Sequence, residues 1–152
     1  MKRLIIIPLT AALLSSCQPD LNEQLIGTWE NTTLNVETNT AQGRDTTTYL
    51  SIENGGWEEA LNIKPIVTTY LADGSFKSEY FGLDGKPVGT EEGTWKVRND
   101  SLVLKSGGYD NVYKVTFKGK QARFVSYLDW DQDGVADDFY DGWQKKIGDD
   151  GY

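Results

Sequence analysis

The sequence predicts an all-β domain, an antiparallel up-and-down β-barrel of about eight to nine strands. Three observations carry that expectation. Aromatic residues make up 12% of the chain, with 5 Trp, 8 Tyr and 5 Phe, and these side chains suit pleated, half-buried surfaces. Its 16 glycines punctuate short apolar runs, while helix-favouring runs are scarce. The runs recur every 8–12 residues or so with tight turns between them, the spacing of a meander that closes on itself.

Composition also excludes function classes. With no His and a single Cys, the chain has no Ser-His-Asp or Cys-His catalysis and no His-ligated zinc. A net charge of -8 argues against nucleic acid as a partner, because phosphate binding needs a basic face. Glu58-Glu59, Glu91-Glu92 and Asp149-Asp150 are examples of paired carboxylates. Neighbours on a strand point to opposite faces, so such pairs do not converge on one bond and read as surface charge. The chain is therefore expected not to be an enzyme.

Residues 1–16 read as an export signal. Lys2 and Arg3 precede an apolar stretch, Leu4 to Leu14, and Ser15-Ser16 supplies small residues before a cleavage point. A stretch of about 11 residues is too short for a permanent bilayer span, which needs about 20. Leu14-Ser15-Ser16-Cys17 resembles the lipobox of bacterial lipoproteins, an aliphatic residue and two small residues before the Cys that receives lipid. That resemblance implies cleavage before Cys17, acyl chains on its thiol and attachment to a membrane. Gln18 rather than Asp follows the Cys, which by the same resemblance points to the outer membrane and leaves the leaflet open. Loss of Lys2 and Arg3 takes the net charge from -8 to -10. Residues 17–24 are expected to form a lipidated polar tether, residues 25–147 one domain and residues 148–152 a polar tail.

Within the domain, strands are expected over 26–37, 46–53, 64–72, 75–82, 90–98, 101–105, 111–118, 121–128 and 138–146. Turn chemistry separates them at Ala72-Asp73-Gly74, Leu83-Asp84-Gly85-Lys86, Arg98-Asn99-Asp100 and Lys118-Gly119-Lys120. Alternation places Tyr113, Val115 and Phe117 on one face and Lys114, Thr116 and Lys118 on the other. The segment Gly55–Leu61 breaks the rhythm and is a candidate lid carrying one helical turn. Trp57, Tyr109 and Trp130 look exposed, and such rings either stack on a ligand or edge a core.

Gly27-Thr28-Trp29 and Gly93-Thr94-Trp95 repeat one motif and are expected to send two strands into one core. Leu25-Ile26-Gly27-Thr28-Trp29-Glu30 resembles the Gly-X-Trp signature that opens lipocalins. Asp73-Gly74-Ser75-Phe76 and the run from Gly93 to Leu104 resemble bacterial lipocalin-like lipoproteins. The resemblance implies that Trp29 plugs the closed end of a barrel, with a cation packed over it. Lys145 and Lys146 are both placed to supply that cation.

Asp129-Trp130-Asp131-Gln132-Asp133-Gly134-Val135-Ala136-Asp137 fits D-x-D-x-D-G-x-x-D. Alternate carboxylates at 129, 131 and 133 set oxygens along one side of a tight loop, and Gly134 permits the turn. Val135 can offer its carbonyl, and Asp137 closes the set, an all-oxygen site suited to one calcium ion. Tyr140 occupies the position where a helix-loop-helix hand carries Glu. With strands on both flanks, the loop resembles the calcium hairpins of integrin-type repeats.

Two functions stay open. By resemblance, a monomeric lipocalin-like barrel would bind or carry a small hydrophobic ligand in the cell envelope. Alternatively, a calcium-stabilised module without a cavity would bind a protein or glycan at the membrane. An apolar-walled cavity of about 300 Å³ or more separates the two. For the anchor, metabolic labelling with a fatty-acid analogue should mark the wild type, and Cys17→Ser should abolish the label and release the protein from membranes. An unlabelled wild type cleaved elsewhere would remove the lipoprotein assignment.

Overall fold

The computed structural model describes residues 20–39 and 46–149. The signal, the lipobox with Cys17, tether residues 17–19 and tail residues 150–152 lie outside the described residues. Nine strands follow a short helix: α1 (Leu21–Leu25), β1 (Gly27–Thr38), β2 (Thr48–Ile52), α2 (Trp57–Leu61), β3 (Val67–Tyr70), β4 (Ser75–Phe81), β5 (Pro87–Arg98), β6 (Ser101–Ser106), β7 (Tyr109–Lys118), β8 (Gln121–Leu128) and β9 (Asp138–Gly148). Among the described residues no helix is long and apolar enough to cross a membrane.

Every strand pair is antiparallel, and the pairing of β1 with β9 closes eight strands into a barrel. β2 is the ninth. Along one edge of β1, Gly27–Glu30 pair with β3 while Leu34–Thr38 pair with β2. The division follows from a bulge. Asn31 pairs with Gln144 and Thr33 with Trp143, which leaves Thr32 as an extra residue that bends the strand. The Trp57 indole N–H of α2 donates to the Thr32 carbonyl at 3.1 Å. Trp57 is thereby almost fully buried, not exposed as its sequence context suggested. It fastens α2 to the wall between β2 and β3.

Alternation produces the inside of the barrel. Along β8, Ala122, Phe124, Ser126 and Leu128 are buried and the residues between them face out. Tyr113, Val115 and Phe117 face the interior as their spacing predicts. Asn99 and Asp100 both take positive φ, the geometry that lets a two-residue turn follow the twist of its strands.

One end is plugged. Trp29, Trp95, Tyr70 and Leu102 pack there in one cluster with Leu25 of α1. Residues 21–24, expected as the end of the tether, instead form most of this helix. The Asp20 carboxylate accepts the Asn22 N–H at 3.3 Å and caps it. Leu21 and Leu25, one turn apart, share the face that meets the barrel. The Trp29 indole N–H donates to the Leu25 carbonyl at 2.8 Å, and that of Trp95 donates to Leu71 at 2.9 Å. Lys146 supplies the cation, its Nζ lying 5.6 Å from the Trp29 ring centroid, whereas Lys145 pairs outside with Glu30. Gly148, assigned by sequence to the tail, still pairs with Thr28.

Both glycines of the repeated motif are sterically required. Gly27 has a φ of +128°, and a Cβ there would strike the Gly148 carbonyl. A Cβ on Gly93 would strike the Lys105 carbonyl oxygen and the Phe76 ring. Gly93→Ala should therefore lower unfolding stability by roughly 1–3 kcal/mol, the cost of overpacking. Gly89→Ala on the same strand, where a Cβ meets only ordinary contacts with Tyr80, should stay within about 0.5 kcal/mol. Urea titration followed by Trp fluorescence measures both, and equal midpoints for the two variants would contradict the steric account.

Candidate functional site

Above the plug the inward side chains no longer fill the barrel, and a cavity of about 600 Å³ opens toward the end covered by α2. Rings form its lower walls. Tyr113 meets Phe124 edge-on at 6.3 Å and Tyr140 edge-on at 5.7 Å, and Tyr70 lies 6.3 Å from Phe76. Burial above all, with lesser contributions from Tyr140 and Glu91, pushes the Tyr70 hydroxyl well above the ordinary tyrosine range. Tyr113 and Tyr140 shift the same way, again chiefly through burial. All three hydroxyls, neutral donors at physiological pH as any tyrosine is, therefore stay protonated further into the alkaline range.

Polar groups are set among the rings. The hydroxyls of Thr68 and Ser78, facing across β3 and β4, are hydrogen-bonded at 2.9 Å. Asn31 and Gln144 face each other across β1 and β9, one inward position above Trp29 and Lys146. Both line the cavity, both are buried, and the side-chain oxygens of both accept no hydrogen bond from the protein.

The rim comes from four segments. α2 brings Trp57 and Leu61, β4 brings Tyr80, the start of β7 brings Tyr109, and the β8–β9 loop brings Trp130. Glu91 also faces this mouth, and Tyr80 donates to its carboxylate at 3.4 Å. Burial and then Glu91 raise the Tyr80 pKa. Strand alternation separates Glu91 from Glu92; both are exposed, as expected of surface charge, and Glu91 is the one that lines the cavity mouth. Tyr109 and Trp130 are exposed and still edge the opening, Trp130 at 6.1 Å from Tyr140.

The acidic loop adjoins this rim. Asp129 accepts the Gly134 N–H at 3.1 Å, Asp131 that of Asp133 at 3.2 Å, and Asp133 that of Val135 at 2.8 Å. Gln132 and Gly134 take positive φ to make the turns. Asp138 is fully buried at the head of β9. It accepts the N–H of Asn39 at 2.8 Å and those of Trp130 at 2.8 Å and Asp131 at 3.2 Å, so it ties the end of β1 to the loop.

Carboxylate oxygens of Asp129, Asp131 and Asp138 lie within 4.8 Å of one another. One oxygen of Asp129 and one of Asp137 are buried with no hydrogen-bond partner in the protein. Desolvation, then the charges of Asp138 and Asp133, raises the Asp137 pKa. Orphaned hard oxygens under mutual repulsion fit a divalent cation of the calcium class. Of the ligands expected from sequence, the cluster contains Asp129 and Asp131 and adds Asp138. Asp133 and Asp137 stand beside it, and Val135, expected to offer its carbonyl, lies exposed in the same loop. Gly27, Trp29, Gly93 and Trp95 lie in the plug, away from the cavity lining.

No family model matches the chain, and no curated protein matches it either.

Sequence reasoning missed Asn31, Gln144 and Asp138, and read Glu91 only as surface charge. Each sits at an even spacing from an inward residue: Asn31 from Trp29, Glu91 from Trp95, and Asp138 and Gln144 from Tyr140. Period-two counting from the core aromatics would have found them, bulges aside.

Proposed function

We propose that this chain is a lipid-anchored β-barrel that binds, and carries within the cell envelope, one small ligand with an apolar body. The cavity carries this reading. Its volume of about 600 Å³ suits a ligand-sized molecule. Its walls combine broad aromatic surfaces with a few fixed polar groups, the usual composition of such sites. A module acting only through its outer surface has no use for such a hollow, so the cavity weighs against the alternative. Attachment through Cys17 at the outer membrane would place the barrel beside lipids and traffic across the envelope.

The proposal includes one calcium ion at the loop, held by Asp129, Asp131 and Asp138, with Asp137 and Asp133 adjacent. Its role is to relieve repulsion and to hold the β8–β9 loop, and so Trp130, at the rim. It would supply no chemistry beyond that.

Two measurements test these points. Equilibrium dialysis of the full chain in a mild non-ionic detergent, blanked against protein-free micelles, should give saturable binding of 1-naphthalenemethanol at one site per chain. Ser78→Phe, which projects a ring into the cavity, should weaken it by about tenfold or more, equivalent to at least 1.4 kcal/mol. Saturable binding that ignores Ser78→Phe sinks the carrier reading, as does the absence of saturable binding across the amine, alcohol and acid forms of the same ring system.

For the loop, calcium should raise the thermal midpoint relative to EDTA. The gain should approach about 2.7 kcal/mol when calcium is a hundredfold above a Kd on the order of 10⁻⁴ M. Asp131→Ala should remove most of the gain, and magnesium should give less of it, because magnesium demands stricter octahedral geometry. An unchanged wild-type midpoint would leave the loop as an acidic turn.

A further inference from the structure

The cavity has a one-sided electrostatic character. Among the described residues that line it there is no Lys and no Arg, and the chain contains no His. The lining carboxylates are Glu91, at the mouth, and Asp129, in the acidic loop. Lys146 belongs to the plug beneath, where its ammonium is held over Trp29 and toward the Gln24 carbonyl.

The β1–β9 wall adds orphaned hydrogen-bond acceptors, beside the neutral hydroxyl donors of Tyr70, Tyr113 and Tyr140. Asn31 and Gln144 are 6% and 7% exposed, stand side by side on the β1–β9 wall and line the cavity. Neither side-chain oxygen has a donor within the protein. Buried acceptors without donors are costly, so this wall favours an occupant that brings N–H or O–H groups. The rings add to the bias, because the faces of Tyr and Trp carry negative potential and attract cations. Tyr70, Tyr113 and Tyr140 line the lower chamber, and Trp57 and Trp130 its upper part.

We infer that the cavity takes a protonated organic amine, a cation with an aromatic or aliphatic body, in preference to a fatty acid or any other anionic lipid. The inference rests on the ligand-binding reading above and narrows its ligand class. The ammonium directs its N–H donors at the Asn31 and Gln144 oxygens, and the body lies among the rings. Glu91 draws cations to the mouth and repels anions there. A carboxylate entering the same site meets like charge at the rim and orphaned acceptors at the wall, and finds only neutral hydroxyl donors, with no lining cation to neutralise it.

A charge series on one ring system tests this at neutral pH: 1-naphthylmethylamine, 1-naphthalenemethanol and 1-naphthoate, measured by equilibrium dialysis against the wild-type full chain in non-ionic detergent. The amine should bind about tenfold or more tighter than the alcohol, and the naphthoate weakest of the three. Glu91→Gln and Gln144→Leu should each shrink the ratio of amine to alcohol affinity. The wild-type series decides the matter even if a variant folds poorly. Alcohol binding that equals amine binding, or naphthoate binding that matches it, overturns the cation preference while the carrier reading stands. Failure of all three to bind removes the carrier reading, and this inference with it.

Discussion

The seating of Trp29 in the closed end of the barrel is the contact on which the other features depend. Its indole N–H is satisfied by the Leu25 carbonyl, and its ring lies beneath the Lys146 ammonium and 5.9 Å from Phe117. A buried indole without an acceptor would be costly, so α1 has to dock where it does. Docking α1 in turn buries Leu25 and closes the floor. Gly27 and Gly93 let the backbones come close enough for Trp29 and Trp95 to share that floor. With one end filled in this way, the remaining inward positions are free of the task of making a core.

That freedom is used at the bulge. The extra residue Thr32 bends β1 and releases a carbonyl that Trp57 captures. The same bend hands the edge of β1 from β3 to β2, with α2 between them. A second apolar cluster of Leu34, Val36, Ile52 and Trp57 forms there, and Tyr140 packs against both clusters. The barrel is thus packed at one end and along one upper wall, and the cavity is the space left between. The α2 contact and the change of partner strand along β1 meet at this one irregularity.

Charge is distributed to match. The exposed faces carry ordinary ion pairs such as Lys64–Glu58 and Lys86–Asp84, each exposed enough to add little. The acidic loop is different, because its carboxylates crowd around Asp138, which is already committed to three backbone N–H groups. Asp138 also joins Asn39, which directly follows β1, to the head of β9. The loop, the closing β1–β9 seam and the cavity rim are therefore mechanically continuous.

Much of this was legible in the sequence. Alternation and turn chemistry located all nine strands to within a few residues, because period-two burial and positive-φ turn residues are local properties. The Gly-Thr-Trp repeat marked the two strands that enter one core, and the Asp129–Asp137 spacing marked the acidic loop. Tertiary structure alone decided the rest. Residues 21–24 look like a polar tether until Leu21 and Leu25 meet the barrel floor. Trp57 looks exposed until the bulge offers it a carbonyl. Lys146 rather than Lys145 covers Trp29, because strand parity, shifted by irregularities in the β1–β9 register, sends one in and the other out. Asn31 and Gln144 are ordinary polar residues in the chain and become a paired acceptor wall only when β1 closes on β9. A cavity is the volume that side chains from distant segments fail to fill, and no local pattern records that sum.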